Sequence, residues 1–295
     1  MSWTLATSDD LDDILAFLGR REHACVAFTA HLLRDGVPAF PSRLKKRVFY
    51  LPARGEPAAD AGADRFAALL LQTAFGFIFP VLDTAEAERD PRLRQLGRRL
   101  RKSFFHSRTI MGREADVSRL EALFGRPPDT LVTYYIMSLR GEPAPRGGDP
   151  PEGVQVRRAG ITDLKALIPL QAAYEAEEVV VDGRDVNHSV VYHNMRSALE
   201  HHITYVAERD GRPIAKASTN ARGMTYDQIG GVYTIPEERS RGVATELMRA
   251  LIAEIRTAGK GSTLFVKKHN AAAIAMYRRL GFELQTDFAI SYYHL

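Results

Sequence analysis

Between Arg239 and Thr245 the chain reads Arg-Ser-Arg-Gly-Val-Ala-Thr, a set of residues suited to holding an anion. The preceding segment, "GGVYTI", is β-branched and aromatic and reads as a strand ending near Thr234. Pro236 then stops ladder pairing, and a helical pattern starts near Val243. The backbone N–H groups from Ser240 to Thr245 therefore lack intrahelical acceptors. They gather at the positive end of the helix dipole, an arrangement ready to bind phosphate. Gly242 has no side chain, so a ligand can lie against the backbone there. Arg239 and Arg241 add positive charge, and Thr245 adds a hydroxyl. Taken alone, the turn reads equally as a solvated basic β-turn.

A second set follows in "KKHNAAAIAMYRRLGFE". Asn270 opens a helix after a strand-like segment. Tyr277 lies seven residues on, so it shares the face of Asn270 two turns later. Its ring can serve as core, or its hydroxyl can reach a ligand above the sheet. Leu280-Gly281-Phe282 then ends the helix and starts another strand.

Together the two sets resemble the GCN5-related N-acetyltransferase (GNAT) family. Its pyrophosphate-loop pattern, Gln/Arg-x-x-Gly-x-Gly/Ala, is met by Arg239-Ser240-Arg241-Gly242-Val243-Ala244. The later motif, Asn-x6-Tyr-x3-Gly-Phe, runs from Asn270 to Phe282. The resemblance covers residues 154–295, and strings such as "GGVYT-P" and "YE-EEV" are similar to a two-domain bacterial subgroup with a divergent N-terminal domain. It implies acetyl-CoA as co-substrate, with no metal. The pyrophosphate would rest on the amides of Arg241 to Ala244. The pantetheine arm would pair with Val232 and Thr234 like an added strand, with an amide of the Gly231–Tyr233 segment on the oxyanion. Asn270 would contact the cofactor, and Tyr277 would lie near the thioester sulfur. The implied activity is transfer of an acetyl group to a primary amine of a small molecule or peptide. The alternative is an acyl-CoA sensor without turnover.

Amine acetylation needs a proton acceptor for the amine and a donor for the leaving thiolate. Tyr277 is the candidate acid. Histone-type members of the family carry a Glu eleven residues before the loop motif, but that position here is Gln228, which cannot act as a base. Other carboxylates lie in "YEAEEVVVD"; they read as a solvated helix end or as a border of the acceptor site, and Glu178 is the lead among them. Asp227 points to the opposite face from Gln228. His188, His193, His201 and His202 have no spacing that puts two ligands on one helical face, so no metal site is expected.

The elements that position these residues follow from composition and pattern. The chain has 295 residues, 45% apolar and 26% charged, as expected of about two globular domains. Net charge is +4, which does not demand a nucleic-acid partner. The single Cys25 sits in an apolar helical pattern and reads as a small core residue. The N-terminus lacks the apolar core of a signal peptide. The run from Phe66 to Leu82 is interrupted by Gln72, Thr73, Gly76 and Pro80, and reads as two buried strands joined by a turn rather than a membrane span. A cytoplasmic protein, monomer or homodimer, is the expectation. The Pro- and Gly-rich stretch Gly141–Gly153 reads as a linker between an α/β N-terminal domain (1–140) and the GNAT domain (154–295), a mixed sheet with helices on both faces. The helix opening the second domain should be capped near Thr162.

The N-terminal half carries an amphipathic basic helix over "PRLRQLGRRLRK". It also shows a faint repeat at an offset of 153: Ala6/Ala159, Asp10/Asp163 and Leu11/Leu164 match. Its nearest analogue of the phosphate turn is "IMGREADVSRLEALFG", whose acidic helix start would repel a phosphate. This half therefore reads as a degenerate GNAT-like copy that cannot hold coenzyme A.

Overall fold

The computed structural model describes residues 3–37, 47–53, 65–82, 108–124, 127–147, 149–179 and 185–293. The basic segment 92–102 and most of the 52–64 loop lie outside them. The chain forms two compact units, Met1–Ile136 with Gln285–Leu295, and Met137–Leu284. The domain bounds read from the sequence run the second domain to 295, whereas the last strand packs with the first unit.

In the first unit the apolar run becomes a hairpin. Strand β3 (Phe66–Gln72) is buried at every position, so both its faces are covered. It turns at Thr73–Gly76, where Gly76 takes φ 85°, and returns as β4 (Phe77–Leu82). The sheet order is β1-β2-β3-β4-β5-β12-β6, with β1 at Thr4–Leu5, β2 at Arg47–Pro52, β5 at Arg108–Arg113, β6 at Thr130–Leu139 and β12 at Glu283–Tyr293. β4 and β5 run parallel; β12 pairs antiparallel with β5. One face is covered by α1 (Leu11–Gly19) and α2 (Val26–Asp35), with Ile14, Phe17, Phe28 and Leu32 packed on Leu69 and Leu71. The other is covered by α3 (Glu114–Phe124), with Val117 and Leu120 on Leu70 and Ile110. Cys25 precedes α2, and burial pushes its thiol well above the usual cysteine range.

The second unit has the order β11-β10-β9-β8-β7, with β7 at Val154–Arg158, β8 at Thr204–Arg209, β9 at Arg212–Arg222, β10 at Tyr226–Thr234 and β11 at Gly261–Lys267. On one face lie α4 (Leu164–Tyr174) and α5 (His188–His201), packing Leu167, Leu170 and Met195 around Val206 and Tyr233. α6 (Val243–Thr257) covers the other. Its buried Leu247, Met248, Leu251, Ile252 and Ile255 form the i, i+3, i+4 stripe of an amphipathic helix. α7 (Ala271–Arg279) follows β11. The stretch from Gly141 is neither helix nor strand where described. It is tied along this unit: Ala144 N–H donates to the Leu280 carbonyl at 3.0 Å, and Arg249 donates to the Ala144 carbonyl at 2.7 Å.

The faint repeat has a structural counterpart. In each unit a three-residue 3-10 turn, Ser8–Asp10 or Ile161–Asp163, leads into the first helix, and the two turns are 153 residues apart. Thr7 N–H donates to Asp10 Oδ2 and Gly160 N–H to Asp163 Oδ2, both at 2.9 Å. The cap of the second unit is thus made by Asp163, not at Thr162, because Arg157 holds that carboxylate in place to receive Gly160. The series β1–β5 repeats in β7–β11, each with its last two strands parallel. By this topology the β5–α3 junction matches β11–α7. "IMGREADVSRLEALFG" is therefore not the counterpart of the Arg239 turn, which falls within 83–107, outside the described residues.

Candidate functional site

The candidate site lies where β10 parts from β11. The two strands pair in parallel from Tyr226↔Gly261 to Ile229↔Leu264. Among the described residues no pair follows, so the edge of β10 from Gly230 to Thr234 has no partner on that side. On its other side β10 stays on β9 through a bulge between Gly230 and Tyr233. Gly231 sits in that bulge with φ 62°, a conformation that favours glycine. Thr234 ends the strand with a buried Oγ1 that has no hydrogen-bond partner among the described residues.

Beyond β10 comes the turn singled out in the sequence. Ser240 and Gly242 both take left-handed backbone, φ 61° and 81°. Gly242 is the residue before α6, and a Cβ placed there would meet nothing within 4 Å. The turn therefore needs Gly242 for its backbone angle, and the space over it is open. The helical ladder begins with Glu246 N–H to the Gly242 carbonyl at 3.1 Å. The N–H groups of Val243, Ala244 and Thr245 thus have no acceptor within the helix. Unpaired amides, open space and the helix dipole fit a phosphate group.

The two arginines of the turn are differently engaged. Arg239 donates from Nε to the Thr234 carbonyl at 2.9 Å and from one Nη to both oxygens of Glu177, at 2.8 and 3.0 Å. Its guanidinium also lies 5.4 Å from the Tyr233 ring centre. Tyr233 donates its hydroxyl to Glu177 at 3.0 Å. Burial and that carboxylate together raise the Tyr233 pKa. Arg241 is exposed and lies 3.8 Å from Glu238. It is the more open cation for a ligand.

Asn270 and Tyr277 lie at the start and near the end of α7. Asn270 Oδ1 accepts the Ala273 N–H at 3.1 Å and caps the helix, so its acceptor is already used. Tyr277 is buried, with its ring 5.8 Å from Phe282. Burial holds its hydroxyl well above the ordinary tyrosine range, and Tyr174 and Glu178 push the same way. The phenol stays protonated at neutral pH, as a proton donor must.

The carboxylates of "YEAEEV" form a single π-helical turn, Glu175–Val179, at the end of α4. Glu178 lies 3.2 Å from Lys267 on β11. Glu175 is buried and accepts the side-chain amides of Gln171 and Asn194 at 2.8 and 2.9 Å. Asp227 is fully buried between Arg222 and Lys260, each at 3.1 Å. Gln228 donates to Asn220. Among the described residues no three His, Cys, Asp or Glu side chains converge as a metal site. None of the described helices is long and apolar enough to cross a membrane.

Sequence reasoning missed Lys216. It stands on β9 opposite Tyr233 and is buried to 1% exposure. Its Nζ donates to the Gly231 carbonyl at 2.9 Å and lies 4.8 Å from the Tyr174 ring centre. Burial pulls its pKa down to about 7, against a weaker upward push from Glu175. The available signal was a cation placed among small and apolar residues in "PIAKASTNA".

These features define a protein with an anion-binding turn beside an opened strand pair. Residues 170–282 match the sequence model of the Acetyltransferase (GNAT) family. Among curated protein sequences none matches. The fold is shared along nearly the whole chain with solved structures of low identity. One is a Drosophila melanogaster protein (14% identity, 98% of this chain and 97% of that one, TM-score 0.66). Another is a GCN5-related N-acetyltransferase from Sphaerobacter thermophilus (16%, 99% and 95%, 0.58). A third is a tandem GNAT protein from the clavulanic acid biosynthesis pathway (13%, 99% and 98%, 0.55). The chain therefore carries a GNAT-family acetyltransferase domain in a tandem GNAT fold.

Proposed function

We propose that the protein is an acetyl-CoA-dependent N-acetyltransferase that moves an acetyl group to a primary amine by direct attack. The observation that carries this reading is the loss of β10–β11 pairing after Ile229, followed by the open, amide-lined turn at Gly242. An extended pantetheine arm would use the freed edge at Val232 and Thr234 as an added strand does. The pyrophosphate would lie on the amides of Arg241 to Ala244, within reach of Arg241 and the Thr245 hydroxyl. The amine attacks the thioester carbonyl while an amide of the Gly231–Tyr233 segment holds the oxyanion. Tyr277 then donates its proton to the leaving thiolate. The acceptor is a small-molecule or peptide amine.

The test is thermal unfolding with and without acetyl-CoA, on the wild type, Gly242→Glu and Gly242→Ala. The alanine variant carries the same backbone strain without the charge. Acetyl-CoA at about 100 times its dissociation constant should add about 2.7 kcal/mol of apparent stability. The reading expects that gain in the wild type, its loss in Gly242→Glu and its partial retention in Gly242→Ala. No gain in the wild type at millimolar ligand overturns it. Release of free CoA thiol on addition of primary amines separates turnover from acyl-CoA sensing.

A further inference from the structure

The proposed reaction needs a proton acceptor for the attacking amine, and the carboxylates around the opening are engaged. Glu177 holds Arg239 and Tyr233, and Glu178 faces Lys267. Glu175 takes two amide donors, and Asp227 lies between Arg222 and Lys260. Gln228 stands at the position where a Glu base is found in histone-type members.

Lys216 differs from all of these. Its amine is buried and makes one hydrogen bond among the described residues, to the Gly231 carbonyl. Gly231 is the bulge residue next to Val232 on the unpaired edge of β10. A Cβ on Gly231 would come within 3.1 Å of Nζ, so the amine lies directly over the bulge. Tyr174 links this point to the candidate acid, since its ring faces Lys216 and its hydroxyl acts electrostatically on Tyr277.

Building on the acetyltransferase reading, we propose that Lys216 is a catalytic base that takes the proton of the acceptor amine. The groups facing it are Tyr174 at the end of α4, Glu175 in the π-helical turn and Tyr233 on β10, and Glu175 is the charge among them that acts on it. With the carboxylate only a weak counterweight to burial, the neutral amine is available near neutral pH. The C–N bond forms as the proton moves from the acceptor nitrogen to the Lys216 lone pair. The C–S bond breaks as the Tyr277 proton moves to sulfur. The products are the amide and free CoA thiol. The enzyme resets when the Lys216 ammonium returns a proton to the Tyr277 phenolate, with Tyr174 between them.

The first experiment is an NMR titration of lysine 13Cε-labelled protein, with the Lys216 signal assigned by its absence in Lys216→Arg. A transition near pH 7 is expected. A transition above about pH 9, the ordinary lysine range, overturns the proposal. The second is the pH profile of CoA release, using spermidine, free lysine and a lysine-containing peptide as amine probes. Lys216→Arg keeps a donor for Gly231 and cannot accept a proton. It should lower kcat by about 10²–10⁴-fold and abolish the limb near pH 7, while acetyl-CoA still stabilises the variant. A profile unchanged within about threefold overturns the proposal, being far below the effect of losing a base. The two readings fail differently. Absence of acetyl-CoA stabilisation in the wild type removes the acetyltransferase reading. Stabilisation together with an ordinary Lys216 titration removes only the assignment to Lys216.

Discussion

Each unit contains a parallel strand pair that separates, and the two separations are filled differently. In the second unit β10 and β11 part after Ile229, and the freed edge leads to an open turn at Gly242. In the first unit the printed pairs of β4 and β5 end at Ile78↔Ile110. There Pro80 lies against Gly112, with its carbonyl 3.2 Å from where a Cβ would stand. Arg113 donates to the Leu82 carbonyl at 2.5 Å and to both oxygens of Asp116 at 2.8 and 2.9 Å. Asp116 is 1% exposed. Burial raises its pKa even beside that guanidinium.

The sequences carry the same contrast. At an offset of 153, Arg239–Ala244 corresponds to Glu86-Ala87-Glu88-Arg89-Asp90-Pro91, which has no glycine and three carboxylates. Tyr277 corresponds to Phe124, which has no hydroxyl. One topology has thus kept an opening for a ligand in one copy and closed it with its own side chains in the other. The lesson is that the fold supplies the parted strands, while a few residues decide whether a ligand can use them.

Four variants sharpen or break this comparison. Asp116→Ala should destabilise the protein by roughly 3 kcal/mol, because it leaves a largely buried Arg113 unpaired. Denaturant unfolding measures it. Acetyl-CoA affinity should not change, and a lost affinity would mean that the first unit binds the ligand. Tyr277→Phe gives the second unit the residue type of the first. It should lower CoA release about 100-fold, or about 2.7 kcal/mol of barrier, with acetyl-CoA stabilisation intact. A rate within threefold of wild type would remove Tyr277 as the acid.

Lys216→Met tests the buried amine through stability. Folded Lys216 gives up its proton near pH 7, while an unfolded lysine keeps its own to about 10.4. Between these values the unfolded state binds more protons, so this lysine's contribution to stability rises with pH and is lost as pH falls through 7. The advantage of Lys216→Met over the wild type should shrink between pH 7 and 10, by at most about 1.4 kcal/mol per unit. A difference independent of pH would contradict the buried neutral amine. The smallest effect is expected for Glu178→Gln, under about threefold in rate, because its partly exposed pair with Lys267 is worth little. A hundredfold loss there would make Glu178 the base.

Much of this was legible in the sequence because it is local. The Phe66–Leu82 hairpin, Gly36 at the end of α2, the Gly242 turn and the Asn270 helix start are set by short-range pattern and backbone preference. What escaped is non-local. Glu177 meets Arg239 across 62 residues, and Asp163 rather than Thr162 caps its turn because Arg157 reaches it. The burial of Lys216 depends on Tyr174 and Gly231 arriving from other elements. The packing of β12 with the first unit is a choice of pairing partner that periodicity cannot specify.

The central claim is that one opening of the two takes acetyl-CoA. Isothermal titration of the full chain with acetyl-CoA tests it most directly, through the stoichiometry in the wild type and in Gly242→Glu. The account predicts one site per chain, absent in a folded Gly242→Glu. Two sites, or one site that survives Gly242→Glu, would contradict it.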